Sequence, residues 1–553
     1  MTSALALVLL PLGPWSALSG HSDADASVAE VDEVRPQRLD RMAFGSCNKQ
    51  WLPQPLWEPI LEFKPQLWLW TGDAIYGESH GVGGLSDGFA VQLSQPGYRS
   101  LISSTTAIEG TWDDHDYGLN DAGKENAERQ EAQELYLDFI GVRARSPRRR
   151  HRDGVYSSHS FGSAPQQVKV ILLDTRSFRD QHYIPSIGGS AIPFGAVFAA
   201  AGRGACAYCS IGADYAGDVL GEAQWTWLEQ QLHESQAAVH VLVTSVQLLT
   251  SNPFVESWGH FPKARARLLA LLQAERPAGL VLLSGDVHHA EMAGYPRNLT
   301  RRNVDLTVEE AAAGAGEDKP NLPPRPSASD DLRPWILEAT SSGMTHTVAS
   351  PFYSGILEWL IRVYSDHRRT PEGYFTGLNW GGIEIDWDGA AGGSVDAAAD
   401  GLAPAPQQQR VAAGAAVTVT VRDASGEVRL RETVLAGRPL ALLPGDWPPH
   451  LVPPAPTMWA VAWCGLWMWL GFIFLLGCCL QCCAYQRERL RAKPRRGHRR
   501  QRSVGLPTYD TTVEAVEPIV TATRSALRRV ASLKEIPTRM SRSGSFAKHI
   551  KNI

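Results

Sequence analysis

The chain has 553 residues, with 53 basic against 58 acidic side chains, a formal net charge of −5 and 44% hydrophobic content. Its charge is unevenly placed: 484–553 carries 17 Lys or Arg against 5 acidic residues, a net +12, which leaves −17 for the rest. No nucleic-acid-binding module is evident.

In chain order, the apolar run Ala4 to Leu12 followed by small residues predicts a signal peptide over 1–20, then an N-terminal lead over 21–40. From 41 to 390 apolar runs alternate with amphipathic segments, which predicts one layered α/β domain. Candidate strands are Arg41 to Ser46, Gln66 to Thr71, Ala107 to Trp112, Val168 to Leu173, Val239 to Ser245, Gly279 to Ser284 and Trp335 to Thr340. Helical spacing marks Pro55 to Phe63, Ala127 to Phe139, Gly221 to Ser235 and Lys263 to Ala274. Residues 304–331 mix acidic, Ala, Gly and Pro residues and read as a mobile insertion. Strands over 391–436 close the domain, and a Pro-rich stalk over 437–457 follows.

Residues 458–480 contain no charge, and about 23 residues at ~1.5 Å each reach ~34 Å, enough to cross a bilayer core. The basic cluster Arg487 to Arg500 then places the 481–553 tail in the cytoplasm, so the expectation is a single-pass type I protein with its large domain extracellular or lumenal. The tail, rich in Arg, Ser, Thr and Pro, is expected to be disordered, with anionic lipid or a kinase as its contacts. Cys478, Cys479, Cys482 and Cys483 at the inner edge suit palmitoylation or are ordinary thiols. On the outer side, Asn298-Leu299-Thr300 is a glycosylation acceptor, and Cys206 and Cys209 are candidates for a local disulfide.

Metal-type donors cluster directly after the apolar runs. Gly45-Ser46-Cys47-Asn48 offers a thiolate; Asp73 and Tyr76 lie three apart in the turn after the second run; Asp113, Asp114 and His115 follow the third. Asp286 and His288 are two apart, so on extended backbone they project to one side. Donors at the carboxyl ends of strands in an α/β sheet converge on one site, here suited to a dinuclear metal hydrolase.

These clusters, with Leu173-Asp174-Thr175-Arg176, Gly221-Glu222-Ala223-Gln224-Trp225 and Glu338 to His346 in that order, resemble the PhoD-like (alkaline phosphatase D) family of the calcineurin-like metallophosphoesterase superfamily, and are similar to purple acid phosphatases. The resemblance implies a layered metallophosphatase sandwich of mixed sheets flanked by helices, with one C-terminal transmembrane helix appended here. It implies that Cys47, Asp73, Tyr76 and His288 hold ferric iron, and that Asp73, one of Asp113 or Asp114, and Asp286 hold calcium. Oxygen donors at Asp114 and Asp286, where the superfamily carries Asn and His, favour a hard second ion over zinc. His115 is expected to protonate the leaving oxygen or to act as a supporting hydrogen-bonding residue. Arg176 is expected either to clamp substrate phosphate or to serve as a structural ion-pair partner. The implied activity is hydrolysis of phosphomonoesters, phosphodiesters or both by a hydroxide bridging two ions; the alternative is a catalytically silent surface binding or signalling protein on the same fold.

Overall fold

The computed structural model describes residues 33–35, 37–77, 81–104, 107–118, 120–150, 152–183, 195–295, 336–349, 354–368, 370–388, 415–440 and 451. Fourteen strands among them form two mixed sheets. The six-stranded sheet runs in the order β14 (Val428–Leu435), β13 (Ala416–Arg422), β12 (Trp380–Asp386), β2 (Arg41–Gly45), β3 (Leu67–Thr71), β4 (Ala107–Thr111). The eight-stranded sheet runs β1 (Glu33–Arg35), β5 (Ser157–Phe161), β6 (Val168–Leu172), β7 (Val239–Val243), β8 (Leu280–Ser284), β10 (Ile336–Ser341), β9 (Ala290–Tyr295), β11 (Tyr374–Phe375). β2, β3 and β4 are mutually parallel, as are β6, β7, β8 and β10, so the carboxyl ends of each set lie together.

Alternate residues decide the layering, because successive side chains on a strand point to opposite faces. Leu67 and Leu69 of β3 share one buried cluster with Val168, Val170, Val241, Val243, Val281 and Leu283, so the two sheets pack face to face. Trp68 and Trp70, the intervening residues, join a second cluster with Trp57, Tyr98, Tyr136 and Phe139 from helices Trp57–Phe63, Pro96–Ser103 and Arg129–Phe139. Ile171, Leu242 and Leu282 pack instead against Trp225, Leu228, Leu268 and Leu272 of helices Gly221–His233 and Pro262–Glu275. The result is helix on sheet on sheet on helix, with strands buried on both faces and correspondingly apolar.

Every strand and helix expected between 41 and 390 is present, with ends shifted by a few residues. The strands expected over 391–436 are β13 and β14, which extend the six-stranded sheet beyond β12. Sequence periodicity misses β5, whose Ser-Ser-His-Ser-Phe carries no apolar alternation although all five residues are buried. It also misses the glycine-rich helices Gly81–Ser94 and Gly195–Tyr208 and the helix Ser354–Val363.

The stalk expected over 437–457 begins on the domain itself. Gly437 N–H donates to Ala238 O at 2.7 Å, Gly279 N–H to Arg438 O at 2.9 Å, and Leu440 is buried among the helices of the eight-stranded sheet. Among the described residues no helix is long and apolar enough to cross a membrane. The signal peptide 1–20, Asn298, the insertion 304–331, the segment 458–480 and the tail lie outside the described residues.

Candidate metal centre

Four parallel strands deliver their donors to one seam between the sheets. Ser46, just past β2, forms a parallel bridge with Ser342, just past β10, so the turns of the two sheets meet there. Close approach sets the glycines: a Cβ on Gly72, at φ +108°, would lie 2.6 Å from Asp113 Cβ, and one on Gly285 would lie 2.9 Å from Thr71 O. Cys47, Asp73, Asp286 and His288 themselves have φ of 60°, 49°, 70° and 56°. Left-handed backbone at four non-glycine residues in one seam costs energy that the surrounding packing must hold, and such outliers concentrate at functional sites.

The donor atoms fall into overlapping groups, each within 4.8 Å: Cys47, Asp73 and His288; Asp73, Asp114 and His115; Asp113, Asp114 and Asp286; Asp114, Asp121 and Glu256. Asp73 Oδ2 faces the first group, 3.4 Å from Cys47 Sγ and 3.2 Å from the Tyr76 hydroxyl, while its Oδ1 turns toward the His115 amide at 3.4 Å. Tyr76 completes the first group through its hydroxyl, 3.2 Å from His288 Nε2. The structure thus brings Cys47, Asp73, Tyr76, Asp113, Asp114, Asp286 and His288 together.

Burial dominates the electrostatics of the seam. Burial pushes the Asp73 and Asp286 carboxyls well above the carboxylate range, and pushes Asp113 up to about 6 even though Arg176 opposes it. Burial also raises the Cys47 thiol to about 11 and lowers His288 to about 3, which favours a neutral imidazole. Burial opposes ionisation of Asp114 as well, yet the neighbouring His115 and Arg176 charges hold its carboxyl below its ordinary value. Asp113 Oδ2 and Asp114 Oδ1 are buried with no hydrogen-bond partner. Orphaned carboxylate oxygens in a buried seam are what a metal ion would satisfy, and the thiolate, phenol, imidazole and carboxylate set fits one.

Arg176 does not reach out toward substrate. It is fully buried, its Nε donating to Asp113 Oδ1 at 2.5 Å and its terminal nitrogens to Glu256 at 3.0 and 3.2 Å. All faces of its planar fork are spent on carboxylates, which favours the structural ion-pair alternative over the phosphate clamp, and it orients Asp113. His115 sits at the partly open mouth, its ring 4.0 Å from that of Tyr76 and its Nε2 4.0 Å from Asp114 Oδ1. His289, adjacent to His288, turns away to Glu291 at 3.7 Å.

The expected Cys206–Cys209 disulfide is also corrected, since both are free thiols. Cys206 lies in the last turn of helix Gly195–Tyr208, and residues three apart on a helix hold their Cβ atoms about 5–6 Å apart, beyond the ~4 Å a disulfide requires.

Sequence reasoning missed Glu256, Asp121 and His346. Glu256 takes Arg176, Arg179 and His182 together and is the one carboxylate between Glu234 and Glu275, a signal that was there to read. Asp121 gives its amide to Asp114 Oδ2 at 2.7 Å, closing a loop whose shape no local pattern announces. His346 stands beside His288 and Tyr76, with ring centroids 4.4 and 5.1 Å away.

A family model for PhoD-like phosphatases matches residues 42–321. A solved structure, described as "Structure of PhoD", aligns over 74% of this chain and 75% of its own, at 15% identity and a TM-score of 0.41. No curated protein matches. The chain belongs to the PhoD-like phosphatase family and is a metal-dependent hydrolase of the alkaline phosphatase type.

Proposed function

We propose that this chain is a membrane-anchored phosphatase that hydrolyses phosphomonoesters, phosphodiesters or both in an extracellular or lumenal space, anchored by 458–480 with its tail cytoplasmic. The carrying observation is the seam in which Asp73, Asp113, Asp114 and Asp286 converge with two orphaned oxygens. Cys47, Asp73, Tyr76 and His288 would hold one ion, proposed as ferric iron for its anionic sulfur and oxygen donors. Asp73, Asp113, Asp114 and Asp286 would hold another, proposed as calcium for its all-oxygen donors. Asp73 turns Oδ2 to Cys47 and Tyr76 and Oδ1 to the His115 amide, which supports its place between the two.

When bound, such ions would lower the pKa of a coordinated water and neutralise the phosphoryl oxygens. The chain's own residues do the rest. Ser245 and Arg176 fix Asp113 Oδ1, with Ser245 Oγ donating at 2.9 Å, and so aim Oδ2 into the seam. His115, braced by the Tyr76 ring, would give its proton to the leaving oxygen. Elemental analysis of the purified full chain, with a scan of mono- and diester substrates in wild type and Asp73→Ala, tests this reading. Bound metal and hydrolysis in wild type, both lost in the variant, are expected. A metal-free wild type, or full activity in Asp73→Ala, would sink it and favour a silent binding protein.

A further inference from the structure

No residue of 342–348, the turn after β10, belongs to the donor groups of the seam, yet this turn grips two of the donors. Met344 N–H donates to Ser46 O at 3.1 Å, and Val348 N–H donates to His288 O at 2.9 Å. Ser342 holds them more directly. Its hydroxyl oxygen stands 2.9 Å from Cys47 Sγ and accepts the His288 backbone N–H at 2.7 Å. One fully buried oxygen therefore touches a donor that follows β2 of one sheet and a donor that follows β8 of the other.

A hydroxyl has one hydrogen and two lone pairs, which fixes the direction of the sulfur contact. One lone pair takes the His288 amide, and among the described residues Cys47 is the one other hydrogen-bonding partner of this oxygen. A buried hydroxyl hydrogen without an acceptor is destabilising, so it points to the sulfur. The thiol's own hydrogen has a separate acceptor in Asp73 Oδ2, 3.4 Å from Cys47 Sγ. Binding a metal releases that hydrogen, because the thiolate is the ligand, and Ser342 is then the one member of the pair with a proton to give. Ser46 differs. Its hydroxyl lies 3.6 Å from the same sulfur but closer to Ser341 O, at 3.1 Å, and gives its proton there.

We infer that Ser342 is a positioning residue of the metal centre, its hydroxyl donating to the Cys47 sulfur while its oxygen holds the His288 backbone, an inference that rests on Cys47 as a metal ligand. A hydrogen bond to a thiolate draws charge away from the metal–sulfur bond, and groups of this kind orient and tune the ligands they touch. Hydrogen bonds in a chain polarise one another, so the His288 amide strengthens the hydroxyl's hold on the sulfur. Ser342 thereby couples a ligand turn of one sheet to a ligand turn of the other without binding the ion.

The test strips the full chain of metal and titrates it with Co2+ alone, reading the near-ultraviolet thiolate-to-cobalt charge-transfer band and the dissociation constant. Cys47→Ser identifies the band by abolishing it. Ser342→Ala is expected to move the band to lower energy and to weaken Co2+ binding about tenfold. Ser46→Ala leaves the band in place, and Ser342→Thr, which keeps the hydroxyl, retains both band and affinity. Melting of the stripped variants checks that they fold. Should Ser342→Ala not fold, the wild type alone decides: reloaded in D2O, its metal–sulfur stretch in the resonance Raman spectrum shifts as the donating hydroxyl takes up deuterium. An unmoved band in folded Ser342→Ala, an equal shift from Ser46→Ala, or a stretch indifferent to D2O overturns the role of Ser342 and leaves Cys47 a ligand. A wild type with no such band overturns Cys47 as a ligand, and the inference with it.

Discussion

The Tyr76 hydroxyl stands 3.2 Å from Asp73 Oδ2 and 3.2 Å from His288 Nε2, joining a turn of the six-stranded sheet to one of the eight-stranded sheet across 212 residues of sequence. Asp73 follows β3 and His288 follows β8, and each carries a left-handed backbone that aims its side chain at the phenol. A single oxygen thus measures whether the two halves of the centre are assembled.

Tyr76→Phe removes that oxygen and keeps the ring that braces His115. With ferric iron in the first group, the wild-type protein is coloured by a phenolate or thiolate charge-transfer band. The variant loses or blue-shifts that band and loses metal affinity by about 10–100-fold, the range seen when partners of metal ligands are removed. Visible absorption alongside iron content reads the outcome; an unchanged band at full iron occupancy removes Tyr76 from the ligand set.

Arg176→Gln leaves Asp113 and Glu256 buried without their shared cation. Breaking a buried charge network from one side costs about 3–5 kcal/mol, so the variant's denaturation midpoint falls sharply. Because Arg176 orients Asp113 rather than binding substrate, kcat falls while KM for a small phosphate ester stays near wild type. A selective rise in KM in a stably folded variant would restore the substrate-clamp role.

His240 provides a pH probe far from the metal seam. Burial pushes its imidazole down to about 4, with Nδ1 2.7 Å from Ala278 O and Nε2 2.8 Å from Ser235 Oγ. Its folded value lies below the unfolded value of ~6.5, so the neutral form favours the native state. That contribution is complete above pH ~6.5 and is lost as pH falls through about 4, on the order of 3 kcal/mol in all. His240→Gln flattens the stability curve over that window in urea titrations; an unaltered slope would show that His240 titrates freely.

Chelation removes the ions that offset the gathered carboxylates. A ligand bound only to the native state stabilises it by about 4 kcal/mol at a thousand times its dissociation constant, so stripped protein melts several degrees lower and recovers on adding metal back. Calorimetry with and without chelator measures the shift. Equal melting temperatures after verified metal loss would mean the seam needs no cation.

Reductant, by contrast, should leave folding untouched. Thiol labelling of the native protein modifies Cys209, which is exposed, and spares buried Cys47. A melting temperature lowered by reductant would reinstate the Cys206–Cys209 bond.

Much of this architecture was legible in advance because buried parallel strands are continuous apolar runs, and Leu67 to Thr71 or Leu280 to Ser284 can hardly be read otherwise. The candidate donors followed, since each sits within a few residues of such a run's end. What escaped was held by tertiary context. β5 is a strand because Arg35, Arg148 and His159 surround Glu109 beside it, a polar network with no period to detect. Arg176 shared its motif with the ligands, and only the burial of Glu256 opposite it decided between clamp and strut. Cys206 and Cys209 were close in number, and helix geometry kept them apart.

The seam between the sheets also sets an order in time. Cys47, Asp73, Tyr76, Asp113 and Asp114 lie within the first 114 residues, whereas Asp286 and His288 come more than 170 positions later. A growing chain therefore carries half a centre through most of its synthesis, and that half becomes whole only when β8 has paired with β7 and β10 with β8. Since β10 lies beyond residue 335, a metal held by both halves would be captured late, by a finished domain and in whichever compartment that domain occupies.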